Sequence, residues 1–510
     1  MVLGRTRAVA LVGLRGHVVD VEAHLASALP AFALVGLPDT SLTEARDRVR
    51  AAVGSTGLTW PNRRITVNLS PAALPKSGPG FDLAVAVSVL AAAGLVDAAA
   101  ADRAVHLGEL GLDGRLRPVR GVLPAVAAAV AAGHPDVVVP VADAAEAALV
   151  PGARVTGCRS LAEVVRRHGG AVQVPEVAAV APDRGAAGRR HPVGDLADVL
   201  GQPEARTAVE VAAAGAHHLL LVGPPGAGKT MLASRLPGLL PDLGEADAVE
   251  VTAVHSVAGT FDPSGGLLRR PPFEDPHHTA TPASIIGGGS GTPRPGAASR
   301  AHRGVLFMDE APEFPAAVLQ TLRQPLEHGE LVIHRSGGAA RYPARFQLVL
   351  AANPCPCGRA TGSGLGCDCT SLERRRYFGR ISGPLLDRVD VQVEVPPVAR
   401  AQLAEPGEST ATVAARVAAA RTAQVDRWAG TPWRVNAEVP GRELRDRLRA
   451  GRRLLTDVDD AVDAGWLTLR GADRVLRVAW TLADLAGLDA PTRAEIGIAM
   501  ALRTRGQAGA

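Results

Sequence analysis

Apolar positions along the chain fall into two kinds of run. Residues 9–14, 65–69 and 137–139, and later 219–222, 305–308 and 346–351, are short apolar stretches of the kind that form buried strands. Residues 42–53 and 81–93 repeat instead at helical spacing. Strands interspersed with helices predict α/β units, two of them in succession. The last hundred residues read as helical, with Val475, Val478, Ala479, Leu482 and Leu485 tracing one apolar stripe. Residues 171–192 are rich in Ala, Gly, Pro and Arg without an apolar period and read as a linker. The expected organisation is an α/β unit over 1–170, that linker, a second α/β unit over 193–400 and a helical unit over 401–510. No repeat of solenoid type is visible.

At 510 residues the chain exceeds one ordinary core, which agrees with this division. A hydrophobic share of 47% against 21% charged excludes a disordered chain. The net charge of +4 permits a nucleic-acid partner without arguing for one, because phosphate binding depends on clustered charge. The longest apolar runs, such as 84–93, are too short to span a bilayer. Near the start, Arg15, His17 and Asp20 break the apolar pattern that a signal peptide needs. No membrane partner and a cytoplasmic location are therefore expected, with the five cysteines as thiols or metal ligands. Only Lys76 and Lys229 are lysines among 55 basic residues. A chain so biased towards arginine keeps lysine where a compact ammonium is required.

Lys229 sits in the strongest motif. Gly223, Pro224, Pro225, Gly226, Ala227, Gly228, Lys229 and Thr230 match the P-loop pattern in full, between an apolar strand and a helix-compatible segment from Met231. Glycines let backbone N–H groups converge on phosphate oxygens, and the following helix adds its positive end. Lys229 would neutralise the β and γ phosphates of ATP, and the Thr230 hydroxyl would ligate Mg²⁺. The run 305–308 ends in Asp309 and Glu310. Two carboxylates at the tip of a buried strand are costly without a task. Beside a P-loop, Asp309 can hold magnesium's water shell and Glu310 can activate the attacking water. A third run ends at Asn353, either a turn former before Pro354 or an amide that orients that water.

Cys355, Cys357, Cys367 and Cys369 lie within 15 positions. Four thiolates so close suit tetrahedral Zn²⁺ in a structural role, although C-x-C is tighter than the usual spacing; free thiols in a Gly-rich loop are the alternative. Cys158 stands alone and reads as buried filler. His277 and His278 lack metal-ligand spacing and suggest loop structure or a substrate contact. Arg374, Arg375 and Arg376 before Tyr377 and Phe378 suggest either a single-strand contact or a solvated basic helix face.

Taken together, Asp198-Val-Leu-Gly-Gln202, the P-loop, Pro276-His-His-Thr279, His302-Arg-Gly-Val-Leu-Phe-Met-Asp-Glu310, Asn353-Pro-Cys-Pro-Cys-Gly358 and Ile381-Ser-Gly-Pro-Leu-Leu-Asp-Arg388 resemble the YifB/ComM family of magnesium-chelatase-like AAA+ ATPases. The resemblance covers nearly the whole chain. It implies that Asn353 is a sensor of the γ-phosphate, that Arg388 is an arginine finger reaching a neighbouring subunit's nucleotide, and that Arg470 is the second sensor, carried on a helical lid. A finger acting in trans implies a homo-oligomeric ring, expected to be hexameric. The family's work implies DNA as partner, through branch migration in recombination or transformation. A chelatase-type motor that remodels a protein partner and a nucleotide-gated scaffold are the alternatives. Ala297 and Arg300 depart from the family pattern, which usually has Glu and an apolar residue there. Residues 75–82 and 108–118 resemble a Lon-protease-like domain. Gly80 and Leu123 stand where active Lon domains carry the nucleophilic Ser and the Lys, so Ser–Lys proteolysis is not expected, and Ser77 reads as a turn residue.

Overall fold

The structure is a computed structural model that describes residues 3–36, 44–76, 78–181, 194–289, 293–335, 338–360, 366–398, 407–448 and 454–504. Ser77 and most of the expected linker, residues 182–192, lie outside the described residues.

Strand β1 (Leu3–Val12) pairs antiparallel with β2 (Arg15–Ala26) from Leu3↔His24 to Val12↔Arg15. The expected strand 9–14 thus starts earlier and stops at Val12, because residues 13–14 make the hairpin turn. Five more strands complete a mixed sheet: β3 (Ala31–Val35), β4 (Arg64–Ser70), β5 (Val105–His106), β6 (Asp136–Pro140) and β7 (Arg154–Cys158), in the order β3-β4-β2-β1-β5-β6-β7. Helix α1 (Ala45–Ser55) and helix α2 (Asp82–Ala92) cover one face, and α3 (Val122–Ala131) lies on the other. Alternation along β1 serves both faces. Ala8 and Ala10 join the core with α2, whereas Val9 and Leu11 join the core with α3. Every residue of α2 is buried, as suits a helix that is apolar all round.

The second sheet follows helix α4 (Pro203–Gly215). Its strands are β8 (Leu219–Val222), β9 (Phe273–Glu274), β10 (Val305–Met308), β11 (Gln347–Ala352) and β12 (Val391–Glu394), all parallel, in the order β9-β10-β11-β8-β12. Even-numbered residues of β8 pack on one face with Leu306, Met308, Leu348 and Leu350. Odd-numbered ones pack on the other with Phe307, Val349, Val391 and Val393. Helices α5 (Lys229–Leu239) and α6 (Glu245–Ala258) follow β8. An antiparallel hairpin of Glu330–Arg335 with Gly338–Pro343 precedes β11.

The C-terminal segment is helical as expected: α7 (Thr410–Arg427), α8 (Gly441–Leu448), α9 (Thr456–Asp463), α10 (Leu469–Leu485) and α11 (Arg493–Thr504). Val475, Val478 and Ala479 of the expected stripe are buried, with Leu482 and Leu485 packed against the same core. That core is continuous with the odd-numbered face of the second sheet, so these helices cap it instead of standing apart.

The two α/β sheets are joined side by side. Leu11 and Leu14 pack with Val257, Ile333, Ala340 and Tyr342 of α6 and the hairpin. Gly121 N–H donates to the Ser256 carbonyl at 3.2 Å. Glu146 accepts from both the Leu123 N–H and the Ser256 hydroxyl.

Candidate nucleotide site

Five parallel strands with helices on both faces leave a crevice beyond their carboxyl ends, and β8 lies where the order reverses, with β11 and β12 on its two sides. The turn 223–228 leaves β8 at that edge, and Lys229 opens α5. Chain direction there depends on glycine. A Cβ on Gly223 would stand 2.2 Å from the Val395 carbonyl oxygen, and Gly228 has φ of +87°. Gln202 braces the loop from behind, donating to the Ala227 carbonyl at 2.6 Å and the Pro396 carbonyl at 3.1 Å.

Lys229 turns its ammonium back into this loop. It donates to the Gly223 and Pro224 carbonyls at 2.6 and 3.0 Å and to Asn353 Oδ1 at 3.1 Å. Burial lowers its pKa, against the opposing pull of Asp309 and Glu310. The Thr230 hydroxyl donates to Asp309 Oδ2 at 2.6 Å, and Asp309 Oδ1 accepts the Glu310 N–H at 2.9 Å. The structure therefore brings Lys229, Thr230, Asp309, Glu310 and Asn353, drawn from the ends of β8, β10 and β11, into one cluster. Glu310 has φ of +51°, a left-handed backbone uncommon outside glycine, and its carboxylate is half exposed. An ammonium at a Gly-rich turn, a hydroxyl beside a carboxylate and a second carboxylate at a neighbouring strand end form a donor set suited to a magnesium–triphosphate.

One residue of this cluster carries no sequence signal of its role. His278 Nδ1 lies 3.4 Å from Glu310 Oε2. Its neighbour His277 lies against it with ring centroids 4.0 Å apart and planes tilted by 34°, and bonds Thr279 Oγ1 at 2.8 Å. The contact crosses between loops distant in sequence, which residue spacing does not reveal.

Arg388 and Arg470 are not in the cluster. Arg388 precedes β12, and β12 runs parallel to β8 in the register Leu219↔Val391. It therefore sits at the amino edge of the sheet, a four-residue strand, or about 13 Å, from the P-loop edge. There it pairs with Glu327. Burial, reinforced by Arg470, Arg323 and Arg474, lowers its pKa. Arg388 and exposed Arg470 line one cleft of about 1100 Å³, together with Arg421, Arg434, Arg474 and Arg477. At its base Arg474 bonds the buried carboxylate of Asp390 at 2.9 Å.

The four cysteines 355, 357, 367 and 369 come together, with all Sγ atoms within 4.8 Å of one another, while Cys158 is buried and free. The helix Ser371–Gly379 carries Arg374, Arg375 and Arg376, with Tyr377 buried and Phe378 half-buried against the core. Of the two readings offered for this segment, the inward packing of the rings, which anchors the helix, fits the solvated basic face better than a single-strand contact. Arg300, a departure from the family pattern, forms an ion pair with half-buried Glu274 at 2.7 Å. Gly80 lies in the turn before α2, and Leu123 is buried in the first turn of α3.

Comparison with known proteins gives three family matches. Residues 195–403 match the family of magnesium chelatase, subunit ChlI; residues 21–143 match subunit ChlI of Mg-chelatase; residues 407–503 match the ChlI C-terminal family. An uncharacterized protein of Mycobacterium tuberculosis is 51% identical over 99% of each chain. Competence protein ComM of Haemophilus influenzae is 39% identical over 94% of this chain and 93% of its own length. The uncharacterized protein YifB of Salmonella typhimurium is 38% identical over 97% and 96%.

Proposed function

The chain belongs to the magnesium-chelatase-like family of ComM and YifB, and on that footing we propose that it is an ATP-hydrolysing AAA+ motor that assembles as a ring and works on DNA. The observation that carries the ATPase reading is the pair of bonds Lys229–Asn353 and Thr230–Asp309 at the carboxyl edge of a parallel sheet.

In this reading Lys229 leaves its carbonyl and amide partners to meet the β and γ phosphates. Thr230 and Asp309 would hold Mg²⁺, which when bound neutralises charge on those phosphates. Glu310 takes a proton from the attacking water, and Asn353 orients that water. Arg388 and Arg470 stand at the opposite edge, out of reach of this subunit's own phosphates, which supports action on a neighbour's nucleotide. A ring, hexameric by family expectation, supplies that neighbour. With Gly80 and Leu123 in place of a nucleophile and a base, the N-terminal sheet serves as a non-proteolytic scaffold or DNA-contacting module. Near full-length likeness to a competence protein favours DNA over a chelatase partner. Among the described residues no helix is long and apolar enough to cross a membrane.

The test is ATPase activity with no DNA, linear duplex, single strand and a four-way junction, alongside Lys229→Ala and Glu310→Gln. Acceleration by one DNA structure supports the reading, with Lys229→Ala losing nucleotide binding and Glu310→Gln losing turnover alone. Equal turnover under all four conditions favours the scaffold, and wild-type turnover in Glu310→Gln refutes the catalytic assignment.

A further inference from the structure

We propose that Cys355, Cys357, Cys367 and Cys369 hold one structural zinc ion, and that this metal-tied loop buttresses the P-loop. The sulfur geometry carries the first half. Cys355 and Cys357 Sγ are 3.3 Å apart, Cys355 and Cys367 3.6 Å, and Cys357 and Cys367 3.7 Å. A disulfide needs about 2.05 Å, so no pair is bonded. A tetrahedron with zinc–sulfur distances of about 2.3 Å has edges of about 3.8 Å, close to all three separations. Four sulfurs this near one another enclose a single ion and leave no room for a cluster of several irons. The backbone is shaped for the same task. Ala360 N–H points at Cys355 Sγ at 3.4 Å, and Gly358 N–H closes the turn on the Cys355 carbonyl at 3.0 Å. Such N–H···S contacts steady a thiolate ligand and orient it towards its metal.

Position carries the second half. Cys355 is fully buried and follows Asn353, the Lys229 partner, by two residues. Gly358, one residue beyond Cys357, lies against Pro225 of the P-loop so closely that a Cβ would come within 2.5 Å of the Pro225 ring. The loop therefore touches the nucleotide site twice, once through Asn353 and once through Pro225. A tetrahedral ion would fix four side chains of this loop at once, and with them both contacts.

This second half rests on the nucleotide-site reading; the first does not. Metal analysis of the full chain, purified without chelators, is expected to give one zinc per chain. The double variant Cys357→Ser/Cys367→Ser is expected to give less than a tenth of that. Cobalt exchanged into the wild-type protein should show the intense visible and near-ultraviolet bands of a tetrahedral tetrathiolate. Iron in place of zinc, no metal, full metal retention in the variant or an octahedral cobalt spectrum each overturns the site. Fluorescent ADP titration of the variant, with its fold checked by circular dichroism, should show affinity weakened about tenfold. Unchanged affinity overturns the buttress while leaving the site, and failure of the wild-type protein to bind ADP strikes at the nucleotide reading instead. Should the variant fail to fold, stoichiometric zinc release from folded wild-type protein by a thiol-blocking mercurial decides the first half, and ADP titration of that demetallated protein decides the second.

Discussion

Asp390 offers a sharp test of how the C-terminal helices are held to the second sheet. Its carboxylate is 1% exposed and accepts Arg474 from α10 at 2.9 Å and the His218 N–H at 3.1 Å. Against the upward push of burial, the charge of Arg474 and the neighbouring His217 and His218 rings hold its pKa well below the usual carboxylate range. Asp390→Ala strands the Arg474 guanidinium in the cleft and leaves the His218 amide unmet. Breaking a buried pair from one side costs about 3–5 kcal/mol. At about 2–4 °C per kcal/mol for a unit of this size, the transition of the second α/β unit should fall by roughly 10 °C in scanning calorimetry. A double-mutant cycle with Arg474→Ala should show coupling of about 2 kcal/mol. The P-loop lies at the other edge, so ADP affinity should stay within about threefold. Turnover should fall about tenfold or more, because Arg388 is two residues from the lost anchor. A transition within about 2 °C of wild type, or additive losses in the cycle, would refute the reasoning.

Acid should unfold the protein through its histidines first. Burial pushes His218 and His255 down to about 4, and burial beside His168 pushes His106 down to about 3. All three are neutral when folded and take up protons on unfolding near pH 6.5, so each should cost about 2 kcal/mol at pH 5, read from melting at pH 7 and pH 5. Asp390, with a depressed pKa, adds loss only below about pH 4. His278→Ala frees Glu310 from its 3.4 Å contact and should raise DNA-independent turnover at least about threefold with KM unchanged; an unchanged kcat refutes a restraining contact. Arg388→Ala and Glu310→Gln subunits, each inactive alone, should regain ATPase on mixing if the finger acts in trans; no recovery in mixed rings refutes that placement.

Much of this was legible because local chemistry and global fold agree. The strands 219–222 and 305–308 appear with the expected bounds, since an unbroken apolar run buried on both faces has no other element to become. The clustering of Lys229, Thr230, Asp309, Glu310 and Asn353 followed from strand ends that meet at one edge of a parallel sheet. The lysine bias also proved informative: Lys76, like Lys229, buries its ammonium against backbone carbonyls, those of Gly36 and Pro71. What sequence spacing did not disclose depends on packing between distant segments. The His278–Glu310 contact, the Arg300–Glu274 pair and the inward turn of Tyr377 are each decided by tertiary partners. For Arg374, Arg375 and Arg376 the sequence left a single-strand contact and a solvated helix face both open, because charge beside aromatics does not say which way a ring faces.

The seam between the two sheets has a mechanical corollary. Leu11 and Leu14 are sunk among Tyr342, Ile333 and Val257, and Glu146 clasps Ser256 and the first turn of α3 together. Apolar packing and a shared carboxylate thus tie the two units at one seam, so a reorientation of the second sheet is expected to carry the amino-terminal sheet with it.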